Sequence, residues 1–208
     1  MQPADYARAR RVLARRDPVL AALIRTHGDC GLARAQHTDP FHALVQAIIS
    51  QQLSTAAART IGKRLRGLYD GGMTAASIGS TPDAQLRSVG LSPQKIGYMR
   101  DLCAKVQSGE LALGALDSLP DDGVIEALTH VKGIGRWTAE MFLMFRLHRP
   151  DVLPVGDLGI VKAIQKQYRL RKTPSGDRLV EIGEAWRPYR SVACWYLWAS
   201  LGNPPGER

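Results

Sequence analysis

Two features of the chain carry residue types that could do chemistry. One is the carboxylate of Asp157, in Leu153-Pro154-Val155-Gly156-Asp157-Leu158-Gly159; the other is an upstream glycine-rich turn, Val131-Lys132-Gly133-Ile134-Gly135. Gly133 and Gly135 let the backbone approach a ligand closely and take positive φ. The turn opens onto a helical pattern from Arg136 to Leu147, so backbone N–H groups at a helix start are offered to an anion, and a phosphate suits such a site. Lys132 and Arg136 add positive charge on either side. Taken alone, a Gly-x-Gly is more often a plain helix corner, and Asp157 reads equally as the N-cap of a helix over Leu158 to Tyr168. Two nucleotide motifs are excluded. The third glycine and preceding strand of a dinucleotide fingerprint are missing, and so is the Gly-Lys-Ser/Thr of a P-loop.

The elements that must position these residues are helical. β-Branched alternation is scarce, and nearly every segment follows the helical period, which predicts an all-α fold of roughly ten helices, given usual helix and connection lengths. Phe41, Leu44, Val45, Ile48 and Ile49 form one apolar stripe on a helix opened by Asp39-Pro40. Ser50-Gln51-Gln52 interrupts that stripe. A second pattern then places Ala56, Ala57, Ile61, Leu65 and Leu68 on one helix running to Tyr69, ended by Asp70-Gly71-Gly72. Thr81-Pro82, Ser92-Pro93 and Leu119-Pro120-Asp121-Asp122 mark further helix starts. The helix with Trp137, Met141, Phe142, Leu143, Met144 and Phe145 is apolar almost all round and is expected to be buried, leaving its N-terminus to meet a ligand. Asn203-Pro204-Pro205-Gly206 reads as a frayed terminus.

Composition limits the class without choosing the partner. In 208 residues, 28 Lys and Arg outnumber 19 Asp and Glu, and a net charge of +9 favours an anionic partner, whether nucleic acid, membrane surface or acidic protein. Cys30, Cys103 and Cys194 are odd in number and far apart, which suggests neither a disulfide framework nor a clustered metal site. No apolar run reaches the length of a membrane span, and Met1 to Arg16 alternates basic and small residues, unlike a signal peptide. A soluble, cytoplasmic, monomeric protein is expected.

Three segments occurring in order carry a resemblance: Ile48-Ile49-Ser50-Gln51-Gln52-Leu53-Ser54, the turn within Leu128 to Phe145, and Leu153 to Ile164. Together they resemble the helix-hairpin-helix (HhH-GPD) DNA glycosylase superfamily, in its bacterial 3-methyladenine DNA glycosylase II type, over about Phe41 to Leu201. The front of the chain, Met1 to Asp39, reads as helices rather than the amino-terminal β domain of longer members, so the compact form is expected. The resemblance implies two helical lobes, approximately 45–155 and 1–44 with 156–208, and an active site in the cleft between them. It implies double-stranded DNA with alkylated bases as the partner, and cleavage of the N-glycosidic bond after base flipping.

Residue roles follow from the same resemblance. Asp157 matches the catalytic aspartate, which stabilises oxocarbenium charge and assists the attacking water. Trp137, Trp198 and Met141 match the base pocket. Indole faces attract a cationic alkylated purine by about 0.5–2 kcal/mol per well-placed ring. Met141 stands where the best-known type has a tyrosine, which leaves lesion preference open. Trp186 and Trp195 are expected in the core. Trp137 also occupies the position of the catalytic lysine in strand-nicking members; an indole forms no Schiff base, so no lyase activity is implied. Gln52 with Leu53 matches the wedge that fills the gap left by the flipped nucleotide. Lys132, Gly133, Ile134, Gly135 and Arg136 match the phosphate-binding hairpin, and the carbonyls of Thr129, Val131 and Ile134 match positions holding a monovalent or other cation. In the Trp186 to Ser191 run, Trp186, Tyr189 and Arg190 suit buried structural roles as well as DNA contact. No cofactor is required, and no iron-sulfur cluster is expected, since only Cys194 lies in the last quarter of the chain. The remaining alternatives are a glycosylase for uracil or oxidised purines and a non-catalytic DNA-binding hairpin module.

Overall fold

The computed structural model describes residues 3–34 and 39–202, so the Asn203 to Gly206 stretch lies outside the described residues. The helices run in order as α1 (Pro3–Arg16), α2 (Pro18–His27), α3 (Pro40–Ser50), α4 (Thr55–Arg66), α5 (Ala75–Ser80), α6 (Asp83–Ser88), α7 (Pro93–Ser108), α8 (Asp121–Thr129), α9 (Arg136–Phe145), α10 (Leu158–Gln167), α11 (Gly176–Glu184) and α12 (Arg190–Ala199). Short 3-10 turns occupy Gly31–Arg34 and Leu113–Ser118. The described residues therefore hold twelve α-helices and no strand. The count exceeds ten because α5 and α6 are six-residue helices on either side of Thr81-Pro82.

The chain divides into two compact units, Met1–Gln36 with Leu143–Arg208, and His37–Phe142. These bounds differ from the expected lobes: the Phe41 helix belongs with the hairpin, and residues 143–155 belong with the terminal unit. Packing explains the first shift. The five-residue stripe of α3 is wholly buried, and α3 packs on α4 and α7 of the same unit.

In the terminal unit the core is built around α12. Every residue from Ser191 to Ala199 is buried, and α1, α2 and α10 pack against that helix. Trp186 and Trp195 are core residues, with 0% and 1% exposure. Asp17, the N-cap of α2, accepts the N–H groups of Val19 and Leu20, and its other oxygen accepts Tyr168 Oη and Trp186 Nε1. A buried carboxylate with four donors is satisfied and ties α2 to the end of α10. Arg190 donates to both carboxylate oxygens of Asp151, which fixes the start of α12 and gives this arginine a structural partner.

The second unit is organised by α7, sixteen residues long, with Ile96, Met99, Leu102 and Cys103 buried; α3, α5 and α6 pack on it. Ser92 caps α7 as expected, accepting the N–H of Lys95. Three local expectations need correction. The α4 helix stops at Arg66, not Tyr69, and buries Ala58, Gly62 and Leu65 while Ala56 is exposed; Gly62 passes close to Gln46 of α3, so the contact face is rotated from the bulky residues. Thr81 is not the cap of α6, because its hydroxyl is engaged with Tyr69 Oη and Ser77 O, and Pro82 takes the cap position. Pro120 likewise stands before α8 rather than in it, with Asp121 and Asp122 in the first turn. All three cysteines are buried; burial pushes the Cys30 thiol up to about 12 and the Cys103 thiol up to about 11. Among the described residues no helix is long and apolar enough to cross a membrane.

Candidate functional site

In the terminal unit, Asp157 ends the turn that follows Leu153-Pro154, with its N–H donated to Pro154 O at 3.0 Å. Its Oδ1 accepts the N–H of Ile160 at 2.8 Å, which makes it the N-cap of α10, as its position between a turn and an apolar-periodic segment predicts. The same oxygen accepts Trp198 Nε1 at 3.0 Å. Asp157 is thus a largely buried carboxylate, 8% exposed, at the positive end of a helix and fixed by two donors. That is how a carboxylate is held when it must meet developing positive charge without reorganising.

Trp198 is placed differently from a free-standing pocket wall. Its indole is 6% exposed, stacks on Phe145 at a 6.0 Å centroid distance, and gives its N–H to Asp157. Gly159 makes that approach possible: a Cβ there would lie 2.9 Å from Asp157 Oδ1 and 3.1 Å from Trp198 Cδ1. The sequence reading missed Gly159. Its only signal is a glycine inside a helix first turn, where glycine is otherwise disfavoured.

In the second unit, α8 and α9 flank the hairpin. Val131 and Ile134 are buried and anchor it, while Lys132, Gly133, Gly135 and Arg136 are exposed. Not every turn N–H is open, however. Lys132 N donates to Asp101 Oδ2 at 2.8 Å and Ile134 N to Val131 O at 3.0 Å, whereas the N–H groups of Gly133, Gly135 and Arg136 meet no acceptor among the described residues. Those three are the donors a phosphate could take. The side chain of Lys132 is 76% exposed, with Nζ 3.9 Å from Asp101; the exposed Arg136 guanidinium is bonded through Nε to buried Glu140 at 3.1 Å, leaving its other N–H groups for an anion. As for a cation, carbonyl oxygens are suitable hard donors, and Val131 O retains a second lone pair beside its bond from Ile134 N.

The α9 helix is not buried all round. Phe142, Leu143 and Met144 are buried, Met141 and Phe145 half-buried, and Trp137 is 50% exposed, because the first turn projects beyond the core while the last turns enter it. It also ends two residues early, at Phe145.

The α3–α4 junction carries Gln52 in a left-handed conformation, φ 56°, within a turn closed by Leu53 N on Ser50 O at 3.2 Å. Gln52 is exposed and Leu53 is 39% exposed, so both side chains of the expected wedge project from the turn. Their neighbour Gln51, unassigned from sequence, behaves otherwise. It donates Nε2 to Gly133 O at 2.7 Å and joins this turn to the hairpin. Lys95 on α7 donates Nζ to Ile49 O at 2.6 Å and Gln51 O at 2.8 Å, and desolvation holds its ammonium below the usual lysine range.

One unit thus carries a hairpin with open N–H groups and the other a helix-capping carboxylate, in a fold whose described elements are all helical. Comparison with known proteins gives that fold its family. Residues 45–188 match the model of the HhH-GPD superfamily base excision DNA repair protein, and the chain belongs to that superfamily. It is 35% identical over 163 residues to DNA-3-methyladenine glycosylase 1 of Schizosaccharomyces pombe, covering 77% of this chain and 72% of that protein. The solved structure of the S. pombe 3-methyladenine DNA glycosylase Mag1 in complex with abasic DNA superposes with a TM-score of 0.80 at 32% identity, covering 94% of this chain and 97% of that one. A DNA-3-methyladenine glycosidase from Bacillus halodurans gives 0.75 at 36% identity, covering 89% and 90%.

Proposed function

We propose that the protein is a monofunctional DNA glycosylase that removes alkylated purines, 3-methyladenine and 7-methylguanine and also etheno adducts, from double-stranded DNA in the cytoplasm. The observation that carries this reading is Asp157 itself, a largely buried carboxylate fixed by Ile160 N and Trp198 Nε1 at a helix start. The names of the relatives support the same substrate class.

In this reading the hairpin seats a backbone phosphate on the N–H groups of Gly133, Gly135 and Arg136, with Lys132 supplying charge; Thr129, Val131 and Ile134 carbonyls would hold a cation bridging to the phosphate. Gln52 or Leu53 fills the gap when the damaged nucleotide leaves the stack. As the glycosidic bond lengthens, positive charge grows on C1′ and O4′ of the sugar, and the Asp157 carboxylate stabilises it and orients the attacking water. A methylated purine already carries positive charge and leaves readily, so the aromatic face of Trp137, with Met141, need add only modest selection, while Trp198 holds the carboxylate of Asp157. Trp137 offers no amine for a Schiff base, which supports hydrolysis without strand cleavage.

Asp157→Asn keeps the helix cap, since asparagine also accepts from the helix N–H groups, but removes the charge. The expected result is a loss of methylated-base release of about 100-fold or more, with duplex binding retained. An unchanged rate would remove Asp157 from the reaction. In the same assay, duplexes with uracil or 8-oxoguanine should release no base, and borohydride should trap no covalent enzyme–DNA adduct; a trapped adduct would overturn the monofunctional reading.

A further inference from the structure

The two loops read as DNA-binding, the α3–α4 turn and the hairpin, lie far apart in sequence, yet one face of α7 and one side chain join them. Lys95, Tyr98 and Asp101 follow each other at three-residue spacing, so they share a face of α7. Lys95 Nζ holds the carbonyls of Ile49 and Gln51 at 2.6 and 2.8 Å, where the last carbonyls of α3 lack helical partners. Asp101 Oδ2 holds the N–H of Lys132 at 2.8 Å. Between them, the Tyr98 ring lies against Gly133, where a Cβ would come within 2.2 Å of Tyr98 Cδ2. Gln51 closes the ring by donating to Gly133 O at 2.7 Å.

We propose that Gln51, Lys95 and Asp101 are positioning residues that bracket the wedge turn and the hairpin into one piece, so that seating a phosphate on the hairpin and inserting the wedge are a single event.

A merely structural role does not account for the choice of groups. In a chain that is to bind a polyanion, Lys95 is committed to two carbonyls, and a carboxylate is placed beside the turn that would receive the phosphate. Asp101 is tolerable there because two ammonium groups attend it, Lys105 Nζ at 3.7 Å and Lys132 Nζ at 3.9 Å. What the arrangement achieves is a fixed spacing. Gly133 O is engaged while Gly133 N stays open to phosphate, so a bound phosphate and the wedge turn hold the same residue through its two adjoining peptide groups. Gln52, the residue directly after the held Gln51, is left-handed, and the bonds through Gln51 and Lys95 sustain that conformation.

The inference rests on the glycosylase reading, and its test separates the two. The probe is a duplex with a tetrahydrofuran abasic-site analogue beside 2-aminopurine, whose fluorescence rises when its neighbour is unstacked; base release is followed under single turnover on methylated duplex. Gln51→Met keeps the length of the side chain and removes the donor, and Lys95→Met keeps the stem and removes the ammonium. For each, duplex affinity should stay within about threefold of the original, while the fluorescence rise is mostly lost and the single-turnover rate falls by about tenfold or more, since small misplacements near a reacting centre are costly. The double variant should lose little beyond either single one, because both break the same bracket. An original protein that releases no methylated base would overturn the function instead. Original fluorescence and rate in the Gln51 variant would overturn the bracket, and so would a rate loss matched by equal losses of duplex affinity and thermal stability.

Discussion

Asp157 has two duties that use the same oxygen: capping α10 and accepting the Trp198 indole. Gly159 allows both, and its replacement tests whether the indole matters to the carboxylate. In Gly159→Ala a Cβ 2.9 Å from Asp157 Oδ1 must displace the carboxylate, the indole or both. Alanine also raises helix propensity by about 1 kcal/mol, which offsets part of the strain. The expected outcome is a protein that melts within a few degrees of the original but releases methylated base at least about tenfold more slowly; an unchanged rate would show that the site tolerates a shifted carboxylate. The N-cap role of Asp157 was legible from sequence because a lone acid before an apolar-periodic segment has a recognisable local signature. Trp198 was not, in its actual geometry. Its bond to Asp157 spans 41 positions and depends on a missing Cβ at residue 159, which no periodicity encodes. Gln51 escaped for a related reason: adjacent glutamines look equivalent in sequence, and only the backbone turn at Gln52 sends one to the hairpin and the other outward.

At the scale of elements, the long stripes were readable and the short punctuation was not. The α3 face is buried at all five expected positions, since bulky residues at helical spacing have one way to hide. On α4 the buried face runs through Ala58 and Gly62, small residues that a count of bulky side chains overlooks. Trp137 shows the opposite error: period alone placed the side chains of this mostly apolar helix in the core and left only its N-terminus open, yet the Trp137 indole in the first turn is half exposed. The junction between α3 and α4 makes a prediction of its own. Gln52 occupies a left-handed backbone at a cost of roughly 1–2 kcal/mol, which glycine would not bear. Gln52→Gly should therefore leave the melting temperature unchanged or raise it by up to about 3 °C, while base release falls because the turn has lost a side chain from its tip. Calorimetry and single-turnover release measure the two effects separately. Full activity in this variant would assign the wedge to Leu53.

Taken as a whole, the molecule is a basic, all-helical chain whose class was legible from composition and period, but whose division into units was not. The boundary falls inside α9, between Phe142 and Leu143, where the sequence is continuously apolar and carries no break to mark it. The cysteines have a consequence at this scale. Cys30, Cys103 and Cys194 sit in the cores with 0–2% exposure, and burial raises the thiols of Cys30 and Cys103 to about 12 and about 11. Only the thiolate attacks an electrophile, so a raised value suppresses reaction below it: at pH 8 the ionised fraction of these two is about one in a thousand or less. Native protein should resist iodoacetamide and Ellman's reagent at pH 8, and all three thiols should react once guanidinium unfolds it; rapid labelling of the native state would show that the cores open. Methylating agents that create alkylated purines attack exposed thiols as well. With its three thiols sealed inside folded cores, the chain withholds those nucleophiles from the same agents that make its proposed substrate.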